Sequence, residues 1–101
     1  MLVYNITLKI DPDIETEWVY WMKQVHIPEV MATNLFTEYK FFKLLEQDDN
    51  EGPTYVIQYF ALSKENYDRY INEFSAALRH KAIEKWGNKF FAFRTVMQAV
   101  N

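Results

Sequence analysis

The chain has no cysteine and only 2 glycines in 101 residues. Without thiols it cannot form disulfide frameworks, thiolate zinc sites or cysteine nucleophiles. Two glycines are too few for the glycine-rich loops that bind nucleotide phosphates. The net charge of −3 is not the basic excess typical of nucleic-acid binders, and no apolar run approaches the roughly 18 residues of a membrane span. We therefore predict neither a nucleic-acid partner nor a membrane partner.

Aromatic side chains are what the chain has in excess, with 8 Phe, 7 Tyr and 3 Trp. The length is that of one domain, so we expect a single domain over residues 1–101 with a real hydrophobic core. The amino terminus alternates apolar and polar residues from the start and has no basic leader segment. We therefore expect a cytoplasmic protein.

Hydrophobic periodicity predicts six elements in the order βαββαβ. Period-two alternation predicts strands near residues 3–10, 35–47, 54–62 and 89–100, and apolar residues three and four apart predict the two helices. This order predicts an α+β, ferredoxin-like fold, in which a four-stranded antiparallel sheet carries both helices on one face. Asp48, Asp49 and Glu51 lie in the predicted turn between the middle strands and lack the EF-hand spacing, so we predict a solvated turn and no metal site.

Prolines and helix length set the predicted helix boundaries. Pro28 disfavours a helical conformation at Ile27, so the first helix is predicted to end at residue 25 or 26. The second helix is predicted to begin after a serine cap and end at a glycine. A straight helix over residues 64–86 would be about 35 Å long, so a break is predicted near residues 78–81.

The third and fourth strands are apolar on both sides, although helices cover only one face of such a sheet. The simplest cover for the second face is a second copy of the chain, packed sheet against sheet. We therefore predict a homodimer with twofold symmetry. The alternative is that the C-terminal segment or the loops cover that face.

Four stretches of the sequence point to a family. They are Tyr4-Asn5, Trp18-x-x-Trp21-Met22 followed by His26-Ile27-Pro28, Thr54-Tyr55 with Gln58-Tyr59, and Phe90 with Phe93-Arg94. Together they resemble an uncharacterised bacterial family of the dimeric α/β-barrel superfamily, related to antibiotic-biosynthesis-monooxygenase-like and EthD-like proteins. The resemblance implies ferredoxin-like subunits paired through their sheets into a barrel. It implies no particular reaction, because one fold supports many chemistries.

His26 is the candidate catalytic residue. It is predicted at the end of the first helix, where the helix dipole favours a cation, and histidine titrates in the range that suits acid–base catalysis. The alternative is a helix-end histidine that bonds the exposed carbonyls. Haem binding with His26 as an axial ligand is a further alternative, although we predict no cofactor. His80 is predicted to lie on the surface, and two distant histidines make no metal site.

Polar residues among apolar strand neighbours predict a ligand cavity. Gln58 and Arg94 need partners if buried, and an arginine can bind a carboxylate ligand through two hydrogen bonds. The alternative for Arg94 is an interface salt bridge to Glu38 or Glu17. Aromatic walls suit a flat, partly polar small molecule. The predicted ligand-binding residues are Tyr4, Trp18, Gln58, Tyr59 and Arg94.

Two functions remain open from the sequence. One is a small-molecule-binding protein without catalysis. The other is a cofactor-independent monooxygenase or isomerase, with His26 as the acid–base and Arg94 or a tyrosine at a developing oxyanion. The second requires His26 to reach open cavity volume. The RNA recognition motif has the same element order, but its aromatic residues belong in the third strand, which here lacks Gly, Lys and Arg.

Overall fold

A four-stranded antiparallel sheet forms the base of the fold. The computed structural model describes residues 1–48 and 50–101. The sheet has the order β2-β3-β1-β4, which confirms the predicted α+β, ferredoxin-like βαββαβ architecture. Its strands are β1 (Leu2–Ile10), β2 (Glu38–Lys43), β3 (Thr54–Ala61) and β4 (Phe90–Gln98).

Alternation along the strands sorts the two faces of the sheet. Tyr4, Leu8 and Ile10 point to one face and are buried in the core beneath the helices. Asn5 and Thr7 lie on the opposite face, which no helix covers. We call these the helix face and the second face. The period-two pattern of β1 therefore predicts its burial correctly.

The first helical segment begins at a capped turn, as the sequence predicts. The carboxylate of Asp11 accepts a hydrogen bond from the Asp13 N–H at 2.8 Å, and Pro12 begins the turn. The segment then runs without interruption through three parts. These are α1 (Glu15–Trp21), a π-helical turn (Met22–His26) and α2 (Ile27–Met31).

The predicted helix end at residue 25 or 26 is wrong. Ile27 is itself helical, with φ −60° and ψ −45°. Its N–H donates to the carbonyl of Met22, five residues earlier. Pro28 comes directly after this wider turn and does not break the helix. Because proline has no backbone N–H, no donor is left unpaired at this position.

The second helical segment contains no break at residues 78–81. It is continuous, and its irregularity is a π-helical turn that lies one turn earlier. Since the molecule is 38 Å long, a helix of about 35 Å fits within it and needs no break. The segment consists of α3 (Lys64–Tyr70), the second π-helical turn (Ile71–Ser75) and α4 (Ala76–Trp86).

Both predicted caps of the second segment are present. The Ser63 hydroxyl accepts a hydrogen bond from the Asn66 N–H at 3.2 Å. Gly87 has a φ of +59°, and its N–H donates to the Ile83 carbonyl at 2.8 Å. These contacts satisfy backbone groups that each helix end would leave unpaired.

No helix among residues 1–48 and 50–101 is long and apolar enough to cross a membrane. The predicted cytoplasmic location stays a prediction. Asp49, part of the predicted solvated turn, lies outside the described residues. Within the described part of the chain, no three His, Cys, Asp or Glu side chains cluster in a way that could hold a metal ion.

Candidate functional site

A cleft of about 390 Å³ opens between the helices and the helix face of the sheet. Its floor is apolar because same-face positions of three neighbouring strands meet there. Its walls are mainly apolar and aromatic helix residues. The floor includes Ile6, Leu8, Ile57 and Ala92, and the walls include Trp18, Trp21, Met22 and Ile83.

Among the described residues that line the cleft, three basic side chains interrupt the apolar surface. They come from three different elements: His26 from the first π-helical turn, Arg79 from α4 and Arg94 from β4. A mostly apolar cleft with a few polar groups is the usual composition of a small-molecule site.

His26 lines the cleft and is partly buried. Its ring stacks on Trp21, with centroids 5.1 Å apart and planes 26° apart. Burial is the largest of the causes that lower the pKa of His26 from 6.5 to about 4; Glu29 opposes the shift, and the charges of Arg94 and Lys81 contribute to it. His26 is therefore neutral at pH 7 and can accept a proton, but the low pKa makes it a weak base.

The predicted position of His26 at a helix end is wrong. Because the helix continues through the π-helical turn into α2, His26 lies at no helix end, and no terminal dipole favours its charged form. For the same reason it is not a helix-end residue that bonds exposed carbonyls. π-Helical turns are rare in proteins, and those that are present often lie at functional sites.

Arg94 lies on the helix face of β4, where it pairs with Ile6 and lines the cleft. Within the described residues of the single chain, no carboxylate forms an ion pair with Arg94. The alternative, an interface salt bridge to Glu38 or Glu17, stays a prediction.

Arg79 is a cleft residue that the sequence did not reveal. It is exposed, as its basic neighbours suggest, and it also lines the cleft. Its guanidinium donates a hydrogen bond to the Tyr4 hydroxyl at 3.3 Å. Helical spacing was the available signal: residues 79, 82 and 83 share one helix face, and all three line the cleft. The neighbouring His80 is exposed as predicted and lies 2.9 Å from Glu84.

The remaining predicted ligand-binding residues divide between cleft, core and second face. Trp18 lines the cleft, whereas Tyr4 lies in the core, is not a lining residue and accepts a hydrogen bond from the cleft residue Arg79. Tyr59 is fully buried and outside the cleft; burial raises the pKa of its hydroxyl, which has no partner among the described residues.

Gln58 lies on the second face of the sheet, away from the cleft. It pairs across the strands with Asn5, and its amide donates to the Asn5 side-chain oxygen at 3.3 Å. Strand alternation is the reason: Gln58 and its neighbour Ile57, which lines the cleft floor, point to opposite faces. The structure thus brings Trp18, His26 and Arg94 together, without Gln58 and Tyr59.

Comparisons with known proteins agree with this fold. The model of a family described as "Domain of unknown function (DUF4286)" matches residues 1–100. No curated protein sequence matches the chain. An EthD family protein from Bacillus halodurans is a similar solved structure, with a TM-score of 0.72 at 13% identity, covering 99% of this chain and 100% of that one.

Two further solved structures are similar over almost the whole chain. A dimeric ferredoxin-like protein from an uncultured marine organism has a TM-score of 0.73 at 10% identity, covering 99% of this chain and 95% of that one. SnoaB from Streptomyces nogalater, described as a cofactor-independent oxygenase, has a TM-score of 0.69 at 11% identity, with coverage of 99% and 93%. Antibiotic biosynthesis monooxygenases are also among the matches, so the resemblance noted in the sequence is confirmed. At such identities the likeness shows the fold alone.

Proposed function

The chain belongs to the DUF4286 family, whose description assigns no function, and we propose that it binds a small aromatic, partly polar molecule in the cleft. The observation that carries this proposal is the cleft itself. Its volume of about 390 Å³ lies in the range of roughly 300–1,000 Å³ that small-molecule sites occupy. Its lining combines apolar walls with the polar groups of His26, Arg79 and Arg94.

Ring contacts behind the cleft support an aromatic ligand. Trp18 packs against Tyr55 at 5.1 Å and against Phe41 at 5.9 Å. Trp21 is held between His26 and Trp86, the latter in an edge-to-face contact at 5.9 Å. Such packing fixes the two indole walls before a ligand arrives, which limits the ordering cost of binding. A flat ring suits walls of this kind.

Filling the cleft tests the proposal. Naphthalene-2-methanol, a neutral aromatic probe, is expected to bind the wild-type protein in calorimetric titrations and to shift the indole N–H resonances of Trp18 and Trp21. Ala82→Phe is expected to abolish this binding, because Ala82 lines the cleft and the added ring occupies its volume. Ala76→Phe is the matched control, because Ala76 is exposed on the same helix and lies outside the cleft lining.

Two results would contradict small-molecule binding in this cleft. One is a wild-type protein that shows neither heat nor resonance shifts with this probe or with the matched acid, 2-naphthoate. The other is an Ala82→Phe variant that remains folded by circular dichroism and binds the probe as the wild type does.

A cofactor-independent oxygenase or isomerase is the second candidate function. The observation in its favour is His26, which faces the cleft and is neutral at pH 7 because burial lowers its pKa to about 4. In that role His26 would accept a proton from an enolisable or phenolic substrate, and Arg94 would stabilise the resulting oxyanion. SnoaB, an oxygenase that uses no cofactor, has a similar fold.

We also propose that the chain forms a homodimer through the second face of the sheet. Phe91 and Phe93 of β4 and Phe42 of β2 are exposed on this face. The C-terminal segment does not cover the face, because β4 is paired within the sheet and Ala99 still donates to the Met1 carbonyl at 3.0 Å. The similar marine protein is described as dimeric.

A further inference from the structure

The cleft contains two guanidinium groups and no carboxylate partner for either. Arg79 reaches it from α4 and Arg94 from β4. Among the described residues neither forms an ion pair, although the chain has 14 acidic side chains and only 11 lysines and arginines. The third arginine, Arg69, lies outside the cleft and pairs with Glu73 at 3.0 Å.

The two positive charges act on the same part of the molecule. Arg79 and Arg94 both line the cleft, and both charges oppose the rise in pKa that burial causes at the Tyr70 hydroxyl. Arg79 is also anchored, since it donates to the Tyr4 hydroxyl at 3.3 Å. The two arginines therefore belong to one electropositive region.

Nothing within the described residues neutralises this region. The carboxylate that acts on His26 is Glu29, and Lys81 binds it at 2.7 Å. His26 itself contributes no charge at pH 7, because burial keeps it neutral. Arg79 and Arg94 are exposed residues that line one cleft, and an anion bound between the two cations would relieve the repulsion between them.

We propose that the cleft binds an organic carboxylate, whose acid group is held by Arg79 and Arg94 and whose ring packs against Trp18 and Trp21. This inference rests on the proposed small-molecule function and names its ligand class. A guanidinium donates two parallel hydrogen bonds to a carboxylate, which lysine cannot do. The apolar floor and indole walls accommodate the rest of the molecule.

A carboxylate fits this cleft better than a phosphate. Phosphate sites usually use backbone N–H groups at the start of a helix or in a glycine-rich loop. The glycine that lines this cleft, Gly87, follows the carboxyl end of α4, where the helix dipole is negative. Recognition of an anion therefore depends on the arginine side chains.

Matched probes separate the charge from the ring. We would titrate the protein with 2-naphthoate, with naphthalene-2-methanol and with inorganic phosphate, using calorimetry at low and high salt. The wild type is expected to bind the acid at least about tenfold more tightly than the alcohol, as charge-assisted hydrogen bonds imply. Added salt should weaken binding of the acid and leave the alcohol unchanged.

Arginine variants test which residues are responsible for the tighter binding of the acid. Arg94→Gln and Arg79→Gln are each expected to lower affinity for 2-naphthoate about tenfold without changing affinity for the alcohol. Arg69→Gln is the matched control, because it removes an arginine that lies outside the cleft. If loss of the Tyr4 contact unfolds Arg79→Gln, Arg94→Gln still decides the question, because Arg94 forms no side-chain hydrogen bond or ion pair among the described residues.

The outcomes distinguish failure of the carboxylate proposal from failure of the small-molecule function on which it rests. Equal affinity for the acid and the alcohol would overturn the carboxylate and leave the small-molecule site standing. Failure of both probes to bind would overturn the site itself. Inorganic phosphate that binds more tightly than 2-naphthoate, and that depends on both arginines, would replace the carboxylate with a phosphate.

Discussion

Burial, and not a position at a helix end, keeps His26 uncharged at pH 7. The imidazole lies partly inside the cleft and stacks on an indole ring, so its protonated form loses hydration, and this loss outweighs the attraction of Glu29. Glu29 favours the protonated form, but Lys81 binds Glu29 and adds a positive charge of its own. Either of the two candidate functions therefore works with an uncharged imidazole.

A proton NMR titration of the folded protein should show His26 titrating with a midpoint of about 4, below its ordinary value of 6.5. His26→Ala assigns the resonance. Because the unfolded chain then binds more protons between pH 4 and pH 6.5, the free energy of unfolding should fall as the pH falls through that window. The loss should approach about 3 kcal/mol and be absent in His26→Ala. A midpoint near 6.5 would contradict the desolvated site.

Single residues show why the site was only partly predictable. Arg94 could be predicted as a site residue because a charged residue is unusual in an apolar strand. Its position on the helix face follows from strand alternation. Arg79 was missed because its neighbours in sequence are basic and solvated, while its own partner, Tyr4, lies 75 residues away. Contacts over such separations depend on packing that no local pattern encodes.

Each helical segment contains a π-helical turn. The first turn accounts for the wrong helix end at residue 25 or 26, because proline rules for a regular α-helix do not anticipate i→i+5 bonding. The break predicted near residues 78–81 is wrong for a different reason, since the molecule is long enough for an unbroken helix. At Ser75, the hydroxyl donates to the Ile71 carbonyl at 2.9 Å inside the second turn. The caps at Asp11, Ser63 and Gly87 were predictable because each depends on residues within four positions.

The loop between β2 and β3 crosses the end of β1 at Gly52. This glycine has a φ of +108°, and a β-carbon there would collide with the Ile10 carbonyl oxygen. The neighbouring Pro53 carbonyl accepts a hydrogen bond from the Ile10 N–H at 3.0 Å, so the two backbones are held together. Gly52→Ala is expected to lower the free energy of unfolding by about 3 kcal/mol or more.

Gly87→Ala is the matched control for this loop. Gly87 also has a positive φ, of +59°, but no atom lies within 4 Å of an added β-carbon. Because its ψ of −128° lies outside the left-handed α region, its expected loss is about 2 kcal/mol, from the backbone conformation alone. Urea unfolding of both variants measures the difference, and equal losses would show that the close approach at Ile10 contributes nothing.

The two faces of the sheet have different partners. The helix face meets its own helices and the cleft. The second face combines apolar rings with a polar pair, in which the Gln58 amide donates to the Asn5 side-chain oxygen at 3.3 Å. The fold and this two-sided apolar character were both readable from strand alternation, because period-two patterns depend only on local geometry. The ligand could not be predicted in this way, because the cleft is lined by residues that are distant from one another in the sequence.

A homodimer through the second face predicts how the assembly responds to substitution. Phe93 is 61% exposed there and contacts Phe91 with ring centroids 5.3 Å apart. Sedimentation equilibrium at micromolar concentration should give twice the 12.2 kDa mass of the chain for the wild type. Phe93→Glu should give a single-chain mass, because it would bury an unpaired charge between the sheets.

Tyr20→Glu is the control on the other side of the molecule. Tyr20 is 69% exposed, on α1, so the same new charge there should leave the dimer intact. Circular dichroism establishes that both variants are folded. A wild type that sediments as a monomer would refute the dimer. Dissociation by Tyr20→Glu instead of Phe93→Glu would move the interface to the helices, because a charge disrupts association only where the assembly removes it from water.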